Sequence, residues 1–283
     1  MPHTTLRFPI RADRLSMSAT VRRTLCDVTS AYQRIEIVET AAFGRALLLD
    51  GHIQLTEFDE AAYHEALVHI PLLSVSEPKR ALVVGGGDGG VLRELCRYAS
   101  LQEIDMVDID AEVVRLCREH LPSVSAGAFD DPRVRLHIAD AFEFVKTGSG
   151  NYDLIVVDAT DVYENEDGAL SEQLFTEAFY ADCAAQLSAD GFIVTQADNL
   201  VFCPYSLEAI EEAFARVFEK VGDYWAIIPS FGSFSGYCWA SHGATVRPAM
   251  PPCAFAGALQ YLNPVTYELA LGPMPFSVAA DLA

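Results

Sequence analysis

Residues 81–90, ALVVGGGDGG, form an apolar run that ends directly in a glycine-rich turn. A short apolar run bounded by glycines is typical of a buried β-strand. Four similar runs follow, at 104–109 (IDMVDI), 134–138 (VRLHI), 152–157 (YDLIVV) and 192–196 (FIVTQ). Helical patterns accompany these runs near 89–98, 111–120, 141–146, 175–187 and 206–220. This alternation predicts an α/β fold in which a mostly parallel sheet carries helices on both faces.

The chain before residue 78 has a different pattern. Residues 6–55 form short, partly alternating segments interrupted by turn residues, as antiparallel strands do. Residues 60–73 then place apolar side chains at helical spacing. We predict a small N-terminal antiparallel β domain over residues 1–60, followed by a larger α/β domain over residues 61–283. The segment from Thr245 onward, which is rich in proline at first, shows no clear pattern.

The composition excludes several kinds of partner. The 283 residues include 19 Lys and Arg against 40 Asp and Glu, for a net charge of −21. A surface that binds nucleic acid needs clustered basic residues, and so does one that binds an anionic membrane. We therefore expect neither partner. The acidity suits a cationic small molecule, although solubility alone explains it equally well.

The cysteines and the N-terminus suggest a cellular location. Seven cysteines are scattered through the chain, and no pair has the C-x-x-C spacing. This pattern fits neither a disulfide framework nor a zinc site, and we expect no metal. The first residues, MPHTTLRFPIRADRL, contain no apolar core of a signal peptide, and no window approaches 18 consecutive apolar residues. We expect a soluble cytoplasmic protein.

The glycine-rich turn after the first strand contains a candidate ligand site. Gly85, Gly87 and Gly90 match G-x-G-x-x-G, a weak signal shared by dinucleotide and S-adenosyl sites. Asp88 lies where a pyrophosphate would rest on the helix start, and its carboxylate would repel that group. The turn therefore suits a ligand without phosphate that carries positive charge. The alternative is that Asp88 only caps the helix.

Acidic side chains also follow the next strands, where ligands of open parallel sheets bind. Asp108 comes 18 residues after Gly90, where an acid commonly accepts hydrogen bonds from ribose hydroxyls. Asp110 is an alternative for that role, but its position suits a helix N-cap. Asp140 either receives an adenine amino group or caps the helix that follows it.

The most informative pair is Asp158 and Asp161 in the segment DATD. Two carboxylates at the carboxyl end of a buried strand can hold an ammonium group and accept a proton from it. The alternative is a pair of turn-forming aspartates.

These residues resemble the polyamine aminopropyltransferases, above all the spermidine synthases. The resemblance runs from about Tyr32 to Trp239. It is carried by AFGRALLLDGHIQLTEFDEAAYHEALVHIPLL, ALVVGGGDGGVLRE, VDID, DDPRVRLHIADAFEFV, YDLIVVDATD and LFTEAFY. The resemblance implies a small β domain before a Rossmann-like, methyltransferase-type catalytic domain. It also implies transfer of the aminopropyl group of decarboxylated S-adenosylmethionine, a co-substrate, to an amine, giving methylthioadenosine. No permanently bound cofactor is implied, and the resemblance implies a homodimer or a homotetramer.

The resemblance also implies a role for each site residue. Asp158 would be the general base, Asp88 would hold the aminopropyl ammonium and Asp161 the acceptor amine. The other donor-binding residues would be Gln33, Gln54, His64, Gly85, Gly87, Asp108, Asp140 and Ala141. The acceptor channel would be lined by Tyr63, Gln196 and Phe231.

Two departures from the family pattern fall on the acceptor side. Asp161 is followed by Val162 and a long acidic stretch, VYENEDGALSEQ, where the family has a proline and a short glycine-rich stretch. The stretch is either a reshaped gate or a solvated loop. Phe231 stands in IPSF where the family typically has IPTY.

Putrescine is the expected acceptor, which would give spermidine. Cadaverine, agmatine, spermidine or a diaminopropane are alternatives. An S-adenosylmethionine methyltransferase or a non-enzymatic polyamine-binding protein would be a different class of function.

Overall fold

The chain forms two β-sheets in a computed structural model that describes residues 4–11, 14–148, 150–159 and 174–274. The strands of the chain are β1 (Thr4–Arg11), β2 (Leu15–Thr29), β3 (Arg34–Thr40), β4 (Gly44–Leu49), β5 (His52–Thr56), β6 (Arg80–Gly85), β7 (Glu103–Asp108), β8 (Val134–Ile138), β9 (Tyr152–Asp158), β10 (Leu187–Asn199), β11 (Lys220–Ile228) and β12 (Ser233–Ser241). The first sheet has the order β1-β2-β3-β4-β5, and the second has the order β11-β12-β10-β9-β6-β7-β8.

The N-terminal sheet is an antiparallel meander in which each strand pairs with the next. Alternate side chains point to opposite faces, as strand geometry requires. On one face of this sheet, Ile35, Ile37 and Leu47 pack against α3 (Ala111–His120), a helix of the α/β domain. The predicted β region is confirmed. The sheet ends at Thr56, while the division of the chain at residue 60 stays a prediction.

The second sheet is mostly parallel, as predicted. Strands β8, β7, β6, β9 and β10 run parallel, and β12 and β11 complete the sheet in antiparallel fashion. The chain proceeds from β6 outward to β8 and then resumes on the other side at β9. This reversal makes the gap between β6 and β9 the switch point, where open α/β sheets bind their ligands.

Helices cover both faces of this sheet because its strands are apolar on both sides. Val83 and Val156 face one layer, and Val84 and Val157 face the other. The remaining helices are α1 (Glu60–Leu72), α2 (Gly90–Cys96), α4 (Pro122–Ser125), α5 (Ala141–Thr147), α6 (Glu177–Gln186), α7 (Pro204–Ala215) and α8 (Pro264–Ala270). Among the helices of the described ranges, none combines the length and apolar character needed to cross a membrane.

The helix predicted at 206–220 is wrong at its carboxyl end. Helix α7 stops at Ala215, and β11 begins at Lys220. The residues that follow α7, KVGDYWAII, are rich in β-branched and aromatic side chains, which favour a strand. They pair over their whole length with β12, which the sequence analysis also missed.

The C-terminal segment, which had no predicted structure, lies across α1. The carboxylate of Glu65 accepts hydrogen bonds from the backbone N–H groups of Gln260, Tyr261 and Leu262 at 2.7, 2.9 and 2.7 Å. Glu65 is fully buried. A buried carboxylate with three backbone donors fixes a segment that has little regular structure.

We expect Glu65→Gln to lower the free energy of unfolding by about 1–3 kcal/mol, because an amide nitrogen would face at least one backbone N–H that then lacks an acceptor. Urea unfolding followed by circular dichroism measures this loss. Glu268→Gln is the control, since Glu268 lies exposed on α8 of the same segment. Equal stability of the two variants would contradict the anchoring role of Glu65.

Candidate active site

The glycine-rich turn lies against the end of β9 at the switch point of the sheet. Gly85 has φ of 78°, and a Cβ atom there would lie 2.2 Å from the carbonyl oxygen of Asp158. The N–H of Gly86 donates to the same oxygen at 2.9 Å. A Cβ atom on Gly87 would lie 2.8 Å from Oδ2 of Asp108. Glycine at these positions lets the ends of β6, β7 and β9 approach one another closely. Contact of Gly85 and Gly87 with the aminopropyl donor stays a prediction.

Asp158 is the last residue of β9, and one of its oxygens lacks a partner. Oδ1 accepts a hydrogen bond from the hydroxyl of Tyr63 at 2.7 Å. Oδ2 is buried and has no hydrogen-bond partner within the described part of the chain. Buried carboxylate oxygens are normally hydrogen-bonded, so Oδ2 is a site for a donor supplied by a ligand.

The electrostatic surroundings of Asp158 suit a proton acceptor. Burial, together with the nearby carboxylate of Asp88, raises the pKa of Asp158 to about 6, although His64 and the hydroxyl of Tyr63 oppose the rise. A carboxyl group with a pKa near the working pH is better matched to general-base catalysis than an ordinary aspartate.

Asp88 lies between the start of α2 and His64. Its Oδ1 accepts a hydrogen bond from the N–H of Gly90 at 2.7 Å and lies 3.3 Å from Nε2 of His64. The other ring nitrogen of His64, Nδ1, lies 2.7 Å from Oε2 of Glu60. The N-cap residue of α2 is Gly89, with no side-chain cap. Asp88 therefore binds the helix start, as the alternative interpretation required, and also faces His64.

His64 carries a positive charge because of these two carboxylates. Burial alone would lower its pKa, but Asp88 and Glu60 outweigh burial and raise the pKa of His64 to about 10. The side chain is 1% exposed. A buried imidazolium therefore lies beside Asp88 and lowers the repulsion between Asp88 and Asp158.

Stability should consequently fall as the pH rises. The folded-state pKa of His64, about 10, lies above its ordinary value of 6.5, so the contribution of His64 is complete below pH 6.5 and lost by pH 10. In that window the free energy of unfolding should fall by up to about 1.4 kcal/mol per pH unit. Urea unfolding between pH 7 and pH 9 measures the slope. His64→Gln should flatten it, and equal slopes would contradict the assigned charge.

One cluster in the described ranges has the composition of a cation site. Ligand atoms of His64, Asp88 and Asp158 lie within 4.8 Å of one another. Both ring nitrogens of His64 already face carboxylates, and a protonated imidazole has no lone pair for a metal. The two aspartates suit an ammonium ion, whose N–H groups match carboxylate oxygens. That the protein needs no metal stays a prediction.

Asp108 and Asp110 have separate roles at the end of β7. Oδ1 of Asp108 accepts from the N–H of Asp110 at 2.8 Å, and burial raises the pKa of Asp108 to about 6. Asp110 caps α3 through the N–H of Glu112 at 3.0 Å, as its alternative interpretation predicts. It also accepts from Ser30 Oγ at 2.6 Å and from Gln33 Nε2 at 3.2 Å. Asp110 is thus fully engaged, and it holds Gln33 at the end of β7.

The remaining predicted donor residues are less clearly assembled. Asp140 is exposed and accepts from the N–H of Phe142 at 2.9 Å, so its interpretation as the cap of α5 is confirmed. Ala141 is buried behind it. Gln54 lies on β5, with Nε2 3.2 Å from the carbonyl oxygen of His52. Contact of these side chains with a nucleoside stays a prediction.

The acceptor side is built around Tyr63. Its ring meets the ring of Phe231 edge-on at 5.8 Å and that of Tyr237 at 5.7 Å. The turn that carries Phe231 is fixed because Asp59 accepts from the N–H and hydroxyl of Ser230 at 2.7 and 2.8 Å.

Gln196 joins this region through the chain that follows β9. Its Nε2 donates to the carbonyl oxygen of Ala159 at 3.3 Å, while its Oε1 accepts from the N–H of Asp198. Asp161 and the acidic stretch after it lie outside the described residues.

Sequence reasoning missed the support of His64. Arg93 forms a fork with Glu60, with Nη1–Oε1 and Nη2–Oε2 distances of 2.7 and 2.8 Å. The spacing of four residues between Glu60 and His64 on a helix could have indicated their contact. No sequence signal links Glu60 to Arg93, which belongs to α2.

Comparisons with known proteins agree with this geometry. Residues 60–247 match a family model described as the spermine/spermidine synthase domain. Residues 8–57 match one described as the spermidine synthase tetramerisation domain. A polyamine aminopropyltransferase of Sodalis glossinidius is 39% identical over 83% of this chain and 80% of its own length. One from Pectobacterium atrosepticum is 42% identical over 80% of this chain and 78% of its own length.

Solved structures are also similar. A spermidine synthase in complex with the transition state analogue AdoDATO has a TM-score of 0.87 and 26% identity, over 96% of this chain and 93% of that chain. A spermidine synthase from Thermotoga maritima has a TM-score of 0.86 and 27% identity, over 96% of this chain and 92% of its own. The chain therefore belongs to the spermine/spermidine synthase family of aminopropyltransferase enzymes.

Proposed function

We propose that this enzyme transfers the aminopropyl group of decarboxylated S-adenosylmethionine to putrescine, releasing spermidine and methylthioadenosine. The observation that carries the proposal is Oδ2 of Asp158, which is buried, has no partner among the described residues, and lies in a cluster with Asp88 and His64 whose two carboxylates suit an ammonium ion. A fold neighbour that binds the transition state analogue AdoDATO supports the same chemistry.

Asp158 would act first on the acceptor amine. A primary aliphatic amine has a pKa of about 10, near that of lysine, so it arrives protonated and cannot attack. The carboxylate of Asp158 binds the ammonium group and takes its proton. The freed nitrogen lone pair then attacks the aminopropyl carbon next to the sulfonium. A C–N bond forms while the C–S bond breaks, and its electrons neutralise the sulfur, so the leaving thioether needs no acid.

Asp88 and His64 would hold the donor. The carboxylate of Asp88 would face the aminopropyl ammonium, and the imidazolium of His64, 3.3 Å away, would orient that carboxylate. Asp108 would accept hydrogen bonds from the ribose hydroxyls, and Gln33 is bonded to Asp110, two residues further along the chain. Adenine would lie against Asp140 and Ala141, with Gln54 closing over the nucleoside and the backbone of Gly85 and Gly87 beside it.

The residues of the acceptor side leave room for more than one amine. Phe231 contacts Tyr63 through its ring alone and offers no hydroxyl to an amine. This observation favours a longer or differently spaced amine as the second candidate, such as cadaverine, agmatine or spermidine. Tyr63, Gln196 and Asp161 would bind either kind of acceptor.

A panel of amines with decarboxylated S-adenosylmethionine, scored by methylthioadenosine release, tests both candidates. Putrescine is expected to give the highest kcat/KM. A higher kcat/KM with a longer amine would instead identify that amine as the acceptor. If none of the amines supports methylthioadenosine release, the proposed function is refuted. Tighter calorimetric binding of S-adenosylmethionine than of its decarboxylated form would point to a methyltransferase instead.

We expect kcat/KM for the donor to fall about tenfold per pH unit or more below pH 6, because protonation of Asp158 removes the base. Asp108 titrates in the same range and acts in the same direction. Tyr63→Phe should move this acidic limb of the pH profile to higher pH, because the hydroxyl of Tyr63 stabilises the carboxylate of Asp158. A limb that stays in place in the variant would contradict the part assigned to Asp158.

We also propose an oligomer, either a homodimer or a homotetramer, in the cytoplasm. The match of residues 8–57 to a tetramerisation domain supports assembly through the N-terminal sheet. All seven cysteines are free thiols, which fits a reducing compartment. Light scattering coupled to gel filtration measures the number of subunits.

A further inference from the structure

A series of charged side chains runs from α2 into the candidate active site. It begins at Arg93, whose fork to Glu60 has N–O distances of 2.7 and 2.8 Å. Oε2 of Glu60 lies 2.7 Å from Nδ1 of His64, and Nε2 of His64 lies 3.3 Å from Oδ1 of Asp88. These four side chains are between 1% and 13% exposed, so solvent screens their interactions weakly.

Each member of the series is held in one orientation. Nε of Arg93 also binds Oε1 of Glu94 at 2.6 Å, and Nη1 donates to the carbonyl oxygen of Val124 at 2.7 Å. Together with the fork to Glu60, these contacts engage all three nitrogens of the guanidinium. A planar guanidinium with two parallel bonds fixes the plane of the carboxylate that it binds. Glu60 is therefore presented to His64 in a defined direction.

The ring of His64 depends on that direction. A Cβ atom on Gly90 would lie 2.3 to 2.5 Å from ring atoms of His64, so the ring is pressed against the start of α2. Within its own plane, the ring is oriented by Glu60 at one nitrogen and Asp88 at the other. Loss of the Glu60 contact would release the rotation of the ring and loosen Asp88.

The carboxylates around the ring of His64 favour its protonated form. His64 is faced by Glu60 and the ring of Tyr63 from α1, by Asp88 from the glycine-rich turn, and by Asp158 from β9. Burial opposes ionisation of Glu60, but the contact with His64 and, to a smaller extent, the fork to Arg93 lower the pKa of Glu60 to about 2. A permanent anion on one side of the ring therefore favours the imidazolium, which in turn stabilises the carboxylate of Asp88.

We propose that Glu60 and Arg93 are positioning residues, which hold the imidazole ring of His64 so that Asp88 is fixed for the ammonium group of the donor. This inference rests on the proposed function, because it concerns how that function's donor is bound. Neither residue touches the reacting atoms in this arrangement. Their effect passes through His64 to Asp88.

The test compares Glu60→Gln and Arg93→Lys with the control Glu65→Gln. Glu65 lies on the same helix and is equally buried, but its carboxylate binds the C-terminal segment instead of His64. We expect KM for decarboxylated S-adenosylmethionine to rise at least about tenfold in Glu60→Gln, with a smaller change in kcat. Arg93→Lys keeps the charge but loses the fork, and should give an intermediate rise.

Nuclear magnetic resonance of the histidine rings gives a readout that does not depend on turnover. The His64 signal, assigned by its absence in His64→Gln, should titrate about one pH unit lower or more in Glu60→Gln, and unchanged in Glu65→Gln. Unchanged titration of His64 and an unchanged KM in both Glu60→Gln and Arg93→Lys would overturn the inference. If Glu60→Gln fails to fold, Arg93→Lys alone decides.

The failure of the proposed function is a separate outcome. A wild-type enzyme that releases no methylthioadenosine with any amine refutes the proposed function. The titration of His64 in Glu60→Gln still decides whether Glu60 and Arg93 control the ring.

Discussion

Asp158→Asn is expected to lower kcat by about 10²- to 10⁴-fold, the range usual for removal of a general base. An amide keeps the shape of the side chain and can still accept the hydrogen bond from Tyr63. It cannot take a proton from the acceptor ammonium, so the reactive free amine would have to come from solution. Initial rates of methylthioadenosine release at saturating donor measure the loss.

Asp153→Asn is the matched control for this variant. Asp153 lies on the same strand and accepts hydrogen bonds from Lys79 N, Arg80 N and Ser188 Oγ at 2.6, 3.1 and 2.8 Å, far along β9 from the switch point. Its loss should cost stability and leave kcat nearly unchanged. Calorimetric affinity for the donor should change little in Asp158→Asn. Turnover within a few-fold of the wild type would refute the assignment of Asp158 as the base.

The core of the site was predictable because of a property of parallel sheets. Carboxyl ends of parallel strands meet at one edge, so residues that follow distant strands come together. Asp88 follows β6, Asp108 and Asp158 are the last residues of β7 and β9, and the structure brings all three to the switch point. The periodicity of the apolar runs was sufficient to place them, without any knowledge of side-chain contacts.

Other features depend on contacts that no local pattern records. Glu60 and Arg93 are 33 residues apart, and only the packing of α1 on α2 joins them. Asp110 looked like a helix cap, which it is, but its bond to Ser30 spans 80 residues and depends on how the N-terminal sheet docks. Residues 260–262 of the C-terminal segment show no regular pattern because Glu65, rather than backbone pairing, satisfies their N–H groups.

Asp88 also offers a physical basis for selecting the donor. S-adenosylmethionine differs from its decarboxylated form by a carboxylate close to the ammonium group that Asp88 would hold. Two carboxylates repel each other strongly in a site of reduced dielectric. Oδ1 of Asp88 is held by the N–H of Gly90 and faces Nε2 of His64, so this carboxylate would stay close to the added one. The same charge that would attract the decarboxylated donor would therefore reject the carboxylated one.

Asp88→Asn should therefore change both affinities in opposite directions. Removing one partner of a buried charge pair costs about 2–5 kcal/mol, so the decarboxylated donor should bind at least about 30-fold more weakly. S-adenosylmethionine should bind more tightly than it does to the wild type, because the repulsion is gone. Calorimetric titration with both compounds measures the ratio of affinities. Asp130→Asn removes one negative charge from an exposed position and should leave the ratio unchanged. A ratio in Asp88→Asn equal to that of the wild type would show that another part of the site selects the donor.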